Sequence, residues 1–238
     1  MFRSLYIYPL AILAALIAQL GLIKANYLKR KDKIEEYNMT IYRITHWWAK
    51  FVIKLSGCKV TVKGLENIPK DKTALFVANH QSNFDIPLLM AVIDTPKGFI
   101  AKKELEGIPL LSAWMRRIQC VFMDRKNLRQ SAETIVKGIN ILKSGYSMVV
   151  FPEGTRSKGG KHGDFKAGSF KLATKSKSLI VPVTLNGTYK VLEENKNKIK
   201  ASDLTVIIHK PIDPTVLSKD ELANLHEIVQ DIVFNPIK

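Results

Sequence analysis

The sequence predicts an α/β fold: a largely parallel, mixed sheet flanked by helices, preceded by an N-terminal helical hairpin of membrane-associating character. Three observations predict it. From residue 57 onward, short runs rich in Val, Ile and Phe alternate with stretches of 3.6-residue apolar period. Leu5 to Ile23 is apolar apart from Pro9, Gln19 and Gly21. Two of the strand-like runs break abruptly into polar turns. The chain therefore divides into residues 1–56, hydrophobic and amphipathic helices for membrane attachment, and residues 57–238, the α/β domain.

The N-terminal apolar run is followed by Lys24, Lys29, Arg30, Lys31 and Lys33. A signal peptide carries its basic flank on the other end and a small-residue cleavage site, so that reading is disfavoured. About 20 apolar residues suffice to span a bilayer, and the basic excess would then hold the remainder on the cytoplasmic side. A helix lying in one leaflet also fits, given Arg3 and the interruptions. Tyr37 to Leu55 is a second helix pattern, with Ile41, Ile44, Trp48, Phe51, Val52 and Leu55 at helical spacing. Its Trp47, Trp48, Tyr42 and nearby Lys and Arg residues give it an interfacial composition.

In the α/β part, strands are expected at Cys58–Val62, Ala74–Ala78, Gly98–Ala101, Cys120–Met123, Ser147–Phe151, Leu179–Leu185 and Thr205–His209. Helices are expected at Ile86–Ile93, Pro109–Ile118, Leu128–Leu142 with Gly145 beyond its end, and Phe165–Lys175. Ser218-x-x-Glu221 is a capping box opening a last helix to about Val233. Glu193 to Ser202 reads as a lysine-rich surface excursion.

Composition bounds the function. The formal charge of +16, from 37 Lys and Arg against 21 Asp and Glu, favours anionic partners. No basic recognition helix with interleaved aromatics is present, so nucleic acid is not the expected partner. Cys58 and Cys120 stand far apart with no Cys/His cluster, which predicts neither a zinc site nor a disulfide scaffold.

The chemistry is expected where strands end. Asn79-His80-Gln81-Ser82-Asn83-Phe84-Asp85 follows an apolar run, with Asp85 at an expected helix N-cap and Pro87 in the first turn. On one straight helix His80 and Asp85 would stand roughly 140° apart. Across a turn they can meet. A carboxylate on one imidazole nitrogen fixes the tautomer and leaves the other nitrogen to accept a proton. Phe151-Pro152-Glu153-Gly154-Thr155-Arg156-Ser157 follows a second apolar strand. Gly154 permits a tight turn, and the planar fork of Arg156 suits a phosphate. Lys102 and Lys103, and then Asp124-Arg125, follow two further strands, so three strand ends direct basic residues toward one edge.

On these residues the sequence resembles the 1-acylglycerol-3-phosphate acyltransferase family, within the wider glycerolipid acyltransferases. The Asn79–Asp85 segment matches the family's His-x4-Asp motif, and Phe122-Met123-Asp124-Arg125 resembles its second block. Phe151–Ser157 matches the third, Val181-Pro182-Val183 resembles the fourth, and Lys102-Lys103-Glu104-Leu105 is also typical. The resemblance covers residues 55–210. Departures are Ser112-Ala113, where many members have a glycine, and Cys120 and Met123 in the second block. The resemblance implies acyl transfer from a thioester, acyl-CoA or acyl carrier protein, to the free hydroxyl of lysophosphatidic acid, giving phosphatidic acid. It implies His80 as general base oriented by Asp85, and Arg156 on the substrate phosphate with Lys102 and Arg125 as further cations. Glu153 and Gly154 would shape the glycerol end. The expected partners are these substrates and an anionic membrane surface, with no metal and no cofactor beyond the thioester co-substrate. Alternatives are an acyltransferase acting on glycerol 3-phosphate or another lysophospholipid, a non-catalytic basic membrane-binding protein, and a serine hydrolase. No Gly-x-Ser-x-Gly elbow supports the last.

Overall fold

The structure, a computed structural model, describes residues 2–237. The N-terminal apolar run folds as α1, Phe2–Ile17, and α2, Gly21–Arg30, joined by one turn of 3-10 helix at Ala18–Leu20. Together they present a 28-residue segment, Arg3–Arg30, long and apolar enough to cross a membrane by length and composition. After a short turn, α3, Ile34–Ser56, runs back along it and ends at Gly57 in the left-handed region. The pairing is stitched at points along its length. Arg3 Nη1 donates to Ser56 O at 2.6 Å, Trp48 Nε1 donates to Ala11 O at 2.9 Å, and Lys29 lies over the Tyr37 ring. Ile7, Ala14, Ala18, Leu22, Ala25 and Leu28 are buried at helical spacing, so one stripe is packed and the opposite stripe is exposed.

The strands are β1, Lys59–Lys63; β2, Ala74–Ala78; β3, Lys97–Lys102; β4, Val121–Met123; β5, Ser147–Val150; β6, Leu179–Asn186; and β7, Asp203–Ile208. The intervening helices are α4, Asp85–Val92; α5, Pro109–Arg117; α6, Leu128–Lys143; and α7, Lys171–Ser176. The chain ends with α8, Lys219–Ala223, and α9, Leu225–Phe234. One seven-stranded sheet forms in the order β1-β7-β6-β2-β5-β3-β4. Every neighbouring pair is parallel except β6 with β7. The mixed, largely parallel sheet is as the sequence predicts. β1 and β7 run opposite to the other five.

Alternation along β2 sorts its side chains to two faces. Phe76 and Ala78 join one cluster with α3 and with Leu88 and Leu89 of α4; residues of α1 and α2 belong to the same cluster. Leu75 and Val77 join a second with Leu172 and Ala173 of α7 and with α9. β2 and β5 are neighbours, yet the helices that follow them cover opposite faces. That makes their carboxyl ends a topological switch point, where an open parallel sheet forms a crevice.

Three expectations are corrected in detail. Asp85 is the first helical residue, not the cap: Phe84 holds the cap position with no side-chain bond, because the Asp85 carboxylate is turned back toward the preceding turn. The helix expected from Phe165 begins as a 3-10 turn at Ala167–Phe170 and becomes α-helical only at Lys171. The last helix has its Ser218–Glu221 capping box but breaks at Asn224 into two. Glu193 to Ser202 is a surface stretch as expected, with Glu194, Lys196, Asn197, Lys198 and Lys200 exposed; Ile199 and the preceding Val191 and Leu192 anchor it to the core.

Candidate active site

His80 lies just beyond β2 and Asp85 opens α4, so the turn between them folds the two side chains together. His80 Nδ1 stands 2.7 Å from Asp85 Oδ2. A carboxylate only accepts, so Nδ1 carries the hydrogen. The same oxygen accepts from the backbone N–H of Gln81 at 2.7 Å and Ser82 at 2.9 Å. Asp85 is fully buried, and its Oδ1 makes no hydrogen bond among the described residues. Three donors on one oxygen therefore fix the carboxylate, and the carboxylate fixes the ring.

The ring is also held from its face. His80 stacks on Phe151 with centroids 4.0 Å apart and planes 17° from parallel. The His80 side chain is 15% exposed, and Nε2 has no hydrogen-bond partner among the described residues. That is the nitrogen positioned to exchange a proton with a bound molecule.

The segment after β5 is sewn to this turn through its backbone. Ser157 N donates to His80 O at 2.9 Å, and Lys158 N donates to Gln81 O at 3.2 Å. Glu153 Oε1 accepts from His80 N at 2.6 Å and its Oε2 accepts from Gly163 N at 3.1 Å. Burial pushes the Glu153 carboxyl above its ordinary range, opposed by these N–H groups and the nearby His80 and His162. Gly154 sits at φ +74°, and a Cβ there would come within 3.0 Å of Lys166 Nζ. The turn thus favours glycine for its left-handed conformation, the lysine tip being free to move aside.

Arg156 Nη1 donates to Glu193 Oε1 at 2.9 Å. Lys102 and Arg125 stand at the ends of β3 and β4, on the same sheet edge but outboard of β5. At about 4.8 Å per strand they lie roughly 10 and 14 Å from the line of β2. Both are exposed, and Lys102 pairs with Glu104 at 2.8 Å. His80, Asp85, Glu153, Gly154 and Arg156 therefore gather at the switch point, while Lys102 and Arg125 extend the cationic edge away from it.

Three supporting residues carried no role in the sequence. Asn79 makes paired bonds to the backbone of Leu185, Nδ2 to O at 2.9 Å and N to Oδ1 at 2.7 Å, tying the end of β2 to β6. Gln81 Oε1 accepts from Gly187 N at 3.0 Å. Their placement beside His80 was the available signal. Glu193, a hundred residues away among lysines, gave none.

Residues 59–186 match the family model described as Acyltransferase. The chain is 35% identical over 191 residues to the 1-acyl-sn-glycerol-3-phosphate acyltransferase of Borreliella burgdorferi, covering 79% of this chain and 76% of that protein. It is also 35% identical to the 1-acyl-sn-glycerol-3-phosphate acyltransferase of Saccharomyces cerevisiae, covering 79% of this chain and 63% of the other. The crystal structure of the 1-acyl-sn-glycerophosphate acyltransferase from Thermotoga maritima superposes with a TM-score of 0.86 at 31% identity, covering 98% of this chain and 92% of that one. The chain belongs to the 1-acylglycerol-3-phosphate acyltransferase family. It is an acyltransferase, and the residues clustered at its switch point are those that the His-x4-Asp and Phe-Pro-Glu-Gly-Thr-Arg segments supply. The serine hydrolase and the non-catalytic binding protein drop away as alternatives. The family model ends at Asn186, so the acyltransferase segment that carries Glu193 lies beyond it.

Proposed function

We propose that this enzyme transfers a fatty acyl group from an acyl thioester to the free hydroxyl of lysophosphatidic acid, giving phosphatidic acid. The observation that carries the reading is the His80–Asp85 pair with its unengaged Nε2. A hydroxyl is a weak nucleophile until a base takes its proton during attack. The substrate oxygen attacks the thioester carbonyl carbon while Nε2 accepts the hydroxyl proton. Asp85 keeps Nδ1 protonated and stabilises the imidazolium. The tetrahedral intermediate collapses, the carbon–sulfur bond breaks, and the thiolate departs and takes the proton from Nε2. The donor is acyl-CoA or acyl carrier protein, and the histidine acts on either in the same way. Arg156 binds the phosphate, and the Glu153–Gly154 turn shapes the glycerol end.

Both acceptor and product live in a bilayer. The exposed stripe of α1 and α2 supports membrane attachment. Because these helices are bonded to α3 from Arg3 to Lys29, and α3 packs on the sheet, the helix pair lies along the domain. That arrangement favours a helix embedded in one leaflet, with the basic residues from Lys24 onward at an anionic, cytoplasmic surface.

The test is transfer of a labelled acyl group from each thioester to lysophosphatidic acid in vesicles, by wild type, His80→Ala and Asp85→Asn. Glycerol 3-phosphate and lysophosphatidylcholine compete as acceptors. Phosphatidic acid from wild type, with kcat lower by about 10²–10⁴ in both variants, is the expected result. Equal product from His80→Ala removes His80 as base, and preference for another acceptor replaces the substrate.

A further inference from the structure

Segment 187–200 reaches two places at once. On one side it holds the N-terminal helix: Ser4 Oγ accepts from Ile199 N at 2.6 Å, and Tyr8 OH donates to Asn197 O at 2.9 Å. On the other it delivers Glu193 to the active-site turns. The Glu193 side chain is only 6% exposed. Its Oε1 accepts from Arg156 Nη1 at 2.9 Å and from the backbone N–H of Asn83 at 3.0 Å. Oε2 is buried and makes no hydrogen bond among the described residues. One carboxylate oxygen thus bridges the turn after β2, which carries His80, and the turn after β5, which carries Arg156.

A buried carboxylate is retained only where charge-assisted bonds offset its desolvation. Both of these bonds go to the active-site turns. A guanidinium offers five donors in a planar fork. Engaging Nη1 fixes the plane and leaves the other donors unengaged among the described residues. We propose that Glu193 is a positioning residue: it orients Arg156 for the substrate phosphate and locks Arg156 to the turn bearing the catalytic histidine. This rests on the reading of Arg156 as the phosphate ligand given above. Glu193 does not touch the reacting atoms. Its effect is on acceptor binding, and that separates it from a residue that merely keeps the fold.

The experiment is steady-state kinetics with lysophosphatidic acid in vesicles, on wild type, Glu193→Ala, Glu193→Gln, Arg156→Ala and the Glu193→Ala/Arg156→Ala double variant, each with its thermal unfolding curve. Losing the aim of a charged hydrogen bond raises KM for lysophosphatidic acid by about tenfold in Glu193→Ala, with kcat changed by less than about threefold. Glu193→Gln keeps an acceptor oxygen for Asn83 and Arg156 and recovers most of the loss. The double variant shows no larger KM than Arg156→Ala alone, because the two residues act as one unit. Should Glu193→Ala lose its unfolding transition, Glu193→Asp carries the test: a carboxylate withdrawn by one methylene must still raise KM. A raised KM in Arg156→Ala beside an unchanged or lowered KM in the Glu193 variants overturns the positioning role alone. Fully additive effects overturn it as well. A wild-type KM in Arg156→Ala removes the phosphate reading of Arg156 and, with it, this role.

Discussion

The carboxylate of Glu153 accepts the backbone N–H of His80 at 2.6 Å. The acid of one strand end thus fixes the main chain of the histidine on the next, and its second oxygen holds Gly163 N. The neighbouring ends of β2 and β5 are joined here by a side chain rather than by a ladder bond.

Glu153→Gln is therefore expected to cost activity without touching a reacting atom. An amide has one acceptor oxygen, so one of the two N–H groups meets a donor and goes unsatisfied, at about 1–3 kcal/mol. The pH dependence has a definite sign. Burial holds the native carboxyl above its unfolded value, so the native state binds more protons than the unfolded chain in the acid range. Stability from this group is fully present below the unfolded carboxylate value and is lost as pH rises through the raised native one. Urea unfolding of wild type and Glu153→Gln from pH 4 upward should show the cost of the substitution shrinking as pH rises. A difference that grows with pH overturns the assignment.

Much of this site was legible because its chemistry is local in sequence. The β2 run, Ala74 to Ala78, matches its strand residue for residue, since five buried apolar residues bounded by polar ones have one reading. The His80–Asp85 spacing forbade a shared helix face and so required the turn that is found. What the sequence withheld is long-range. The reversal of β1 and β7 depends on pairing with β6, and no local pattern encodes it. The contact between His80 and Phe151 and the bonds from Glu193 depend on which strand ends become neighbours. Three cationic strand ends read as converging because strand order was unknown. The order β2-β5-β3-β4 spreads them along the edge instead.

Lys97 is a second titrating group with a measurable signature. It begins β3, is 5% exposed, and donates from Nζ to Ile93 O at 2.7 Å and Thr95 O at 3.0 Å beside the ring of Tyr42. Burial pushes its ammonium down to about 7, partly opposed by Asp94. Between that value and the ordinary lysine value the unfolded chain binds more protons. Wild-type stability from this group is therefore lost as pH falls through about 7 and rises toward alkaline pH. Lys97→Met deletes the charge and keeps the chain length. Unfolding at a series of pH values from 6 to 10 is expected to show wild type gaining on Lys97→Met as pH rises. A flat difference means the group does not titrate there.

The exposed stripe of α1 and α2 separates membrane binding from folding. Leu16, Leu20 and Ile23 are 51%, 69% and 73% exposed, whereas Ala14, Ala18 and Ala25 are buried. Replacing the first three by serine removes apolar surface that the folded domain does not use, so the unfolding transition should stay near wild type. Burying a Leu or Ile side chain in acyl chains contributes about 1.5–3 kcal/mol, so the triple variant should lose membrane partition by at least roughly tenfold per side chain. Flotation with anionic vesicles checks the first effect. Acyl transfer checks the second: it should fall on vesicle-borne lysophosphatidic acid and persist on acceptor presented in detergent micelles. Wild-type flotation by the triple-serine enzyme would mean that this face is not what meets the bilayer, and that the basic residues from Lys24 onward hold the enzyme there alone.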